Sequence, residues 1–296
     1  MSVSTASLRR KISSAEDLQS VVRTMKALAA SSISQYEQSV RSLRDYYRTV
    51  ELGLSACFRE NRGNPVVAQN VRADAGVIGA IVFGSDQGLV GQFNDVVADH
   101  AIKALTALPG TLHIWAVGER VHARLEDAGF PPQGLFAVPN SVHGITSLVG
   151  RILVESESRY SRVERSELYL FYNRPAVGAV YESVNRRLLP LDATWQGIWA
   201  DIRWPTQNLP EVMGDRDATL GSLISEYLFV SLFTACAESL ASENASRLAA
   251  MQRAEKNIDE LLEELGGTFH RLRQSGIDEE LFDVISGFEA LKLEEK

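Results

Sequence analysis

Residues 227–272 read YLFVSLFTACAESLASENASRLAAMQRAEKNIDELLEELGGTFHRL. Within this stretch Tyr227, Val230, Thr234, Ala237, Ala241, Asn244, Leu248, Met251, Glu255, Ile258, Leu262, Leu265, Phe269 and Leu272 follow one another by steps of three and four throughout. A mean step of about 3.5 residues marks a helix that presents a seam to a partner helix. Ala237 and Ala241 are small, so the partner can approach closely there. Asn244 and Glu255 are polar members of the seam, the kind that fixes register. Gly266-Gly267 weakens the helix by roughly 1 kcal/mol per glycine and predicts a bend or added mobility. Helical from Glu211 to Leu291, the segment would be about 120 Å long at 1.5 Å per residue. A helix of that length cannot hide inside a small globular domain.

Working outward, a second seam lies at the other end of the chain. Leu18, Val22, Met25, Ala29, Ser32, Tyr36, Val40, Leu43, Tyr47, Val50, Leu54 and Cys57 alternate the same steps, with one four-four stutter around Tyr36. Ser13 or Ser14 is placed to cap a helix start, with Glu16 and Asp17 near the positive end of its dipole. No Pro or Gly precedes Gly53, and no Pro follows Pro210. An antiparallel pair is the simplest way to bury both seams, which makes the middle an insertion between the two strands of a coiled coil. The two ends also differ in charge: residues 1–50 carry +4 and residues 211–296 carry −10. Exposed ion pairs add little stability but favour one pairing over others.

The middle reads as α/β. VIGAIVF (77–83) is a buried strand, residues 90–105 have helical spacing, and TLHIWAV (111–117) is a second strand followed by a helix over 119–128. His143 to Tyr160 reads as a helix, and ELYLFY (167–172) and residues 180–189 as further strands. Strand–helix alternation favours a mainly parallel, Rossmann-like sheet with helices on its faces. The expected organisation is a coiled-coil helix over 1–60, an α/β domain over 75–192 and a second coiled-coil helix over 211–292.

Composition narrows the function classes. The 296 residues are 45% hydrophobic and 23% charged, ordinary for a globular chain, with a net charge of −8 that gives no support for nucleic-acid binding. Cys57 and Cys236 lack metal-ligand spacing and read as reduced core residues. The five histidines show neither a zinc-pair spacing nor a nucleophile motif beside them. Trp195, Trp199 and Trp204 read as packing or interface, with a tilt toward interface. The most tempting local motif is the turn Gly84-Ser-Asp-Gln-Gly-Leu-Val-Gly-Gln-Phe-Asn94 after the first strand. Such a turn can cradle phosphate on backbone N–H groups. Yet it has neither the dinucleotide fingerprint nor the Gly-Lys-Ser/Thr of a P-loop, so a tight turn with Ser85 or Asp86 capping a helix is the plainer reading. No catalytic, cofactor or metal site emerges.

Three regions resemble one family. Leu8-Arg-Arg-Lys-Ile-Ser-Ser14 with Met25-Lys-Ala-Leu-Ala-Ala30, the Gly84–Asn94 turn, and Ala241-Ser-Glu-Asn-Ala-Ser-Arg-Leu-Ala-Ala-Met251 with Arg271-Leu-Arg-Gln-Ser-Gly-Ile-Asp-Glu-Glu-Leu281 are similar to segments of F-type ATPase gamma subunits, in the same order along the chain. The resemblance implies a non-catalytic central-stalk rotor without cofactors, one copy per complex. It implies as partners the alpha and beta subunits of the catalytic hexamer, the epsilon subunit and the membrane c-ring, at the cytoplasmic face of a prokaryotic plasma membrane. Aligned to the family's motifs, Met25, Arg247, Arg273, Gln274, Asp278 and Glu280 fall on positions that contact catalytic subunits or couple within the shaft; for each, a surface charge or a pair within the coil is the alternative. Asn185-Arg-Arg187 and Trp204-Pro-Thr-Gln207 are candidates for contact with the c-ring. Gln87 stands where Arg is usual, Asp278 where Thr is common, and Gly266-Gly267 replaces a Tyr-Asn-like pair. These departures resemble the alternate, N-type branch, for which outward ion pumping driven by ATP hydrolysis is implied. Two other readings stay open on the residues alone. A nucleotide-binding α/β enzyme would bind nucleotide at the glycine turn, and a coiled-coil adaptor would form a homodimer through its seams.

Overall fold

A computed structural model describes residues 4–60, 76–160, 166–191, 195, 199, 202–208 and 210–294. Among these residues the elements are, in order, α1 (Thr5–Glu60), β1 (Gly76–Phe83), α2 (Phe93–Thr106), β2 (Gly110–Val117), α3 (Glu119–Asp127), β3 (Gly134–Phe136), α4 (Val142–Tyr160), β4 (Ser166–Ala176), β5 (Ala179–Leu189) and α5 (Arg216–Glu294). They fall into two compact units. One joins residues 1–28 to 248–296, and the other comprises residues 29–247.

The larger unit is built on a five-stranded sheet of order β3-β2-β1-β4-β5. β1 pairs in parallel with both β2 and β4, β2 pairs in parallel with β3, and β5 closes the edge antiparallel to β4. The mainly parallel sheet read from sequence is therefore present, with one antiparallel edge strand. β3 was not expected: three residues of Gly-Leu-Phe are too few to show a period. Central β1 is buried on both faces, which is why its sequence runs apolar without alternation. One face packs Ile78, Ala80 and Val82 against α2 and α3 through Val97, Ala101, Val121 and Leu125. The other packs Ile81 and Phe83 against α4 and against the paired helices, through Ile145, Leu148, Leu54, Tyr227 and Leu232.

That second contact explains the character of α5. Most residues from Tyr227 to Ala241 are buried, including Val230, Leu232, Ala235, Cys236 and Ala237. The helix is long and apolar enough to cross a membrane, and half of its apolar window is buried inside this chain. The predicted seam holds: every one of its fourteen members from Tyr227 to Leu272 is buried or partly buried. On α1 the seam also holds, with one exception. Leu18 is 58% exposed, and the seam passes through buried Ala15 and half-buried Gln19 instead. At Gly53 an added Cβ would lie 2.9 Å from Leu223 Cδ2, so the two helices approach closely there.

The helix starts differ from those read in sequence. α1 begins at Thr5, and Ser4 Oγ accepts the Ser7 N–H at 3.2 Å, so the cap is Ser4 rather than Ser13 or Ser14. Residues Ala6 to Lys11 are good helix formers, and Leu8 is buried, which favours extending the helix to Thr5. α5 begins at Arg216, capped by Asp215 Oδ1 accepting the Asp217 N–H at 3.0 Å. It stays helical through Gly266-Gly267, with no break at the pair. Cys57 and Cys236 are both buried.

Gly118, at the end of β2, has φ +113°, and a Cβ there would come within 2.8 Å of the Ser85 backbone. Gly118→Ala is expected to destabilise the chain by about 1–3 kcal/mol through backbone strain and overlap. A lower urea midpoint at unchanged m-value would register it.

Candidate functional site: the helix seam and the turn after the first strand

The chain connections change side at β1. α2 and α3 carry the chain away to β2 and β3, and α4 brings it back to β4 on the far side of β1. In open α/β sheets ligands bind at such a switch point, outside the carboxyl ends of the strands. The Gly84–Asn94 turn sits there. Several of its polar groups, however, are engaged within the chain. The Ser85 N–H donates to Asn94 Oδ1 at 2.9 Å, and Asn94 Nδ2 donates back to Ser85 Oγ at 2.9 Å. The Asp86 carboxylate accepts the Glu119 N–H at 3.0 Å and the Val138 N–H at 2.9 Å. It thus sits at the amino-terminal end of α3, the place a phosphate would take. Ser246 Oγ on α5 donates to the Val90 carbonyl at 2.6 Å. The chain's own carboxylate and helix occupy the crevice, in line with the plainer reading of the turn; the helix that Asp86 caps is α3, not α2. Leu89 (φ 63°) and Gly91 (φ 58°) give the turn its reversal.

Next to the turn, α5 carries a buried ion pair. Arg247 donates to Glu243 Oε1 at 2.6 Å, with side chains 13% and 7% exposed. Burial raises the Glu243 carboxyl above its ordinary range more than Arg247 lowers it. The family-derived contact residue Arg247 is thus bound within its own helix, the alternative left open in sequence. Asn244 Nδ2 donates to the Leu240 carbonyl at 2.8 Å, which satisfies a buried polar seam position locally.

In the smaller unit the seam is registered by charge. Glu255 takes Arg23 Nε at 3.0 Å and also pairs with Lys26, while Gln19 donates to Asp259. The basic amino-terminal and acidic carboxy-terminal segments therefore meet here as paired side chains. Met25 is half-buried on the same helix. Arg273, Gln274, Asp278 and Glu280 are exposed on α5, beside a run of exposed apolar residues: Ile277, Leu281, Phe282, Val284 and Ile285. Sequence reading named the polar members of this surface and passed over the apolar ones. Their signal was present, since they depart from the three-four seam that ends at Leu272.

Two expectations change. Trp199 is fully buried, stacked on Phe58 at 5.7 Å and edge-on to Tyr227 at 5.1 Å, so it belongs to the core rather than to an interface. Arg186 is not a surface candidate for the c-ring: it lies over the rings of Tyr47 (5.5 Å) and Tyr227 (5.8 Å) and donates to the Tyr47 hydroxyl. The change at Arg186 comes from the face of β5 that carries Val184, Arg186 and Leu188, which points at the helix pair. No group of three or more His, Cys, Asp or Glu suited to a metal occurs among the described residues.

Lys26 first, and then Arg23, hold the Glu255 carboxyl below its ordinary value of 4.5. A depressed carboxylate contributes stability that is present above the unfolded pKa and lost as pH falls through the folded one. Glu255→Gln should therefore lower stability at pH 7 and converge with the parent below that range, as read by urea midpoints across pH. Asp86→Ala leaves two N–H groups without their acceptor. It should cost about 1–3 kcal/mol, measured by thermal unfolding.

Comparison with known proteins places this architecture. The sequence pattern of the family described as ATP synthase matches residues 4–291. A relative from Anaeromyxobacter dehalogenans, an ATP synthase gamma chain, is 26% identical over 300 residues, covering 96% of this chain and 98% of the relative. One from Paraburkholderia phytofirmans, with the same name, is 27% identical over 308 residues at the same coverage. Among solved structures, a chain of the Euglena gracilis mitochondrial ATP synthase (OSCP/F1/c-ring) superposes with TM-score 0.66 at 15% identity, covering 99% of this chain and 96% of that one. A chain of the Tetrahymena thermophila central stalk and c-ring gives 0.57 at 19% identity, covering 79% and 99%. At such identity these two speak for the fold. With antiparallel long helices bracketing a mainly parallel sheet, the chain belongs to the ATP synthase family, in the role of the non-catalytic gamma subunit of the central stalk.

Proposed function

We propose that this chain is the rotating shaft that couples ion translocation through a membrane c-ring to ATP synthesis or hydrolysis at an alpha/beta hexamer. The sheet domain over 75–192 would form the foot beside the epsilon subunit and above the c-ring, and the helices over 1–60 and 211–292 the shaft. One observation carries the reading. Two helices of 56 and 79 residues from opposite ends of the chain pair with each other, and the later one ends in exposed apolar residues, Ile277 to Ile285. Apolar side chains on a long helix at that density suit a sleeve in a partner subunit better than water. Met25, Arg247, Arg273, Gln274, Asp278 and Glu280 are proposed to contact catalytic subunits or transmit coupling. Arg273 has the exposed planar fork suited to a carboxylate, whereas Arg247 acts through its pair with Glu243. Asymmetric contact of a turning helix with three catalytic sites would give them different nucleotide affinities, so torque and nucleotide binding drive each other.

Gln87, Asp278 and Gly266-Gly267 support assignment to the N-type branch, with ATP-driven outward ion pumping. The location proposed is the cytoplasmic face of a prokaryotic plasma membrane, as a peripheral subunit.

A tagged chain purified from native membranes should bring alpha, beta, epsilon and c subunits with it, identified by mass spectrometry. Deleting residues 276–296, or Met25→Lys, should abolish ATPase activity of the recovered complex. Recovery of the chain alone, soluble and binding nucleotide, would overturn the proposal.

A further inference from the structure

The sheet domain and the helix pair of the larger unit meet mainly through apolar side chains, which attract without direction. Apolar packing resists separation better than it resists sliding. A shaft driven through its foot needs contacts that oppose sliding as well.

Two side chains of the sheet give this contact direction: Tyr172 of β4, whose hydroxyl donates to Glu238 of α5, and Arg186 of β5, which reaches both helices. Arg186 lies on edge strand β5, in register with Leu170 of β4, between Val184 and Leu188 on the face turned to the helices. Its guanidinium lies over the rings of Tyr47 on α1 and Tyr227 on α5 at 5.5 and 5.8 Å. The same fork donates to the Tyr47 hydroxyl and, at 3.5 Å, to the Tyr227 hydroxyl. One planar group therefore holds both helices to the sheet at once. The two rings touch each other, with centroids 6.1 Å apart, and Trp195 and Trp199 close over Tyr227. Burial pulls the guanidinium pKa down, but the hydroxyls of Tyr227 and Tyr47 outweigh it, so the charge is kept. Glu51 and Glu238 supply nearby negative charge.

A further directional tie lies along α5, where Ser246 donates to the Val90 carbonyl of the glycine turn. Positions 227 and 246 are about 28 Å apart along a helix at 1.5 Å per residue. Ties spread over that distance resist rotation of the domain against α5, and Arg186 is the one among these three that also reaches α1.

We propose that Arg186 is a positioning residue for coupling: it clamps the sheet edge to α1 and α5 together, so that torque on the domain reaches the paired helices without slip. The inference rests on the shaft reading above. Lysine in its place keeps the charge but not the planar two-pronged fork.

The test uses the complete membrane complex in inverted vesicles, with ATP hydrolysis and an ATP-driven potential (oxonol quenching, which serves for either coupling ion) measured on one sample. Arg186→Met should leave hydrolysis within about twofold while lowering the potential generated per ATP by several-fold, with Arg186→Lys between the two. A structural defect alone would lower hydrolysis and potential together, through fewer assembled complexes. Equal coupling in Arg186→Met and the parent overturns the proposal. If Arg186→Met does not assemble, the double variant Tyr47→Phe/Tyr227→Phe decides. It keeps both rings and removes both acceptors, so reduced coupling supports the clamp and unchanged coupling overturns it. Failure of the parent chain to co-purify with a catalytic hexamer would instead overturn the shaft reading, and the clamp with it.

Discussion

Within the larger unit, the middle of α5 is covered from more than one direction at once. Tyr227, Val230, Leu232, Ala235, Cys236 and Ala237 contribute to a core shared with α1, α4 and one face of the sheet. A helix with a single buried stripe tolerates polar residues over most of its circumference, but this stretch has small or apolar residues almost all round. Small residues recur among the buried ones, at Ala235, Ala237 and Ala241. The close approach of α1 at Gly53 belongs to the same constraint, since any larger side chain would meet Leu223.

From that burial follows the way the sheet domain is held. Its two faces have separate cores. α2 and α3 complete one, and the helix pair with α4 completes the other. The domain would lack cover on its second face without the helices, and so domain and helices share their stability rather than adding it independently. Polar ties are placed where this shared core ends. Arg186 with its two tyrosines lies on the edge strand, and the Ser246–Val90 bond lies at the carboxyl ends of the strands. The glycine turn has become a docking point for the helix. The carboxylate of Asp86 and the hydroxyl of Ser246 take up the positions through which related sheets bind a ligand.

The smaller unit follows a different rule. Its helix pair has only a thin seam, so charge does more of the work of setting register. Glu255 between Arg23 and Lys26, and Gln19 with Asp259, pair across the helices. Such exposed pairs contribute little free energy but disfavour a shifted alignment. Towards the end of α5 in this unit, Ile277, Leu281, Phe282, Val284 and Ile285 stay exposed.

Much of this was legible in the chain itself. Both seams, the inserted α/β domain and the strand–helix alternation follow from periodicity, and periodicity survives because helix and strand each repeat their geometry over many residues. The position of Glu255 as a register residue was also readable, since a charge on a seam must find a partner. Short or singular features were not. β3 is too brief for a period. Ser4 caps α1 because tertiary burial of Leu8 extends the helix beyond its local signals. Leu18 fits the three-four spacing as well as Ala15 does, and only packing selects between them. Arg186 read as surface because charged side chains favour exposure, and Trp199 as packing or interface because a large aromatic suits both. Their burial depends on which face of β5 meets the helices and on what closes over Tyr227, relations between residues about 28 to 140 positions apart that no local pattern encodes. The sequence by itself thus determined which segments are helices and which of their faces are sticky. Tertiary structure alone decided which polar groups those faces would enclose, because enclosure needs partners from several elements at once.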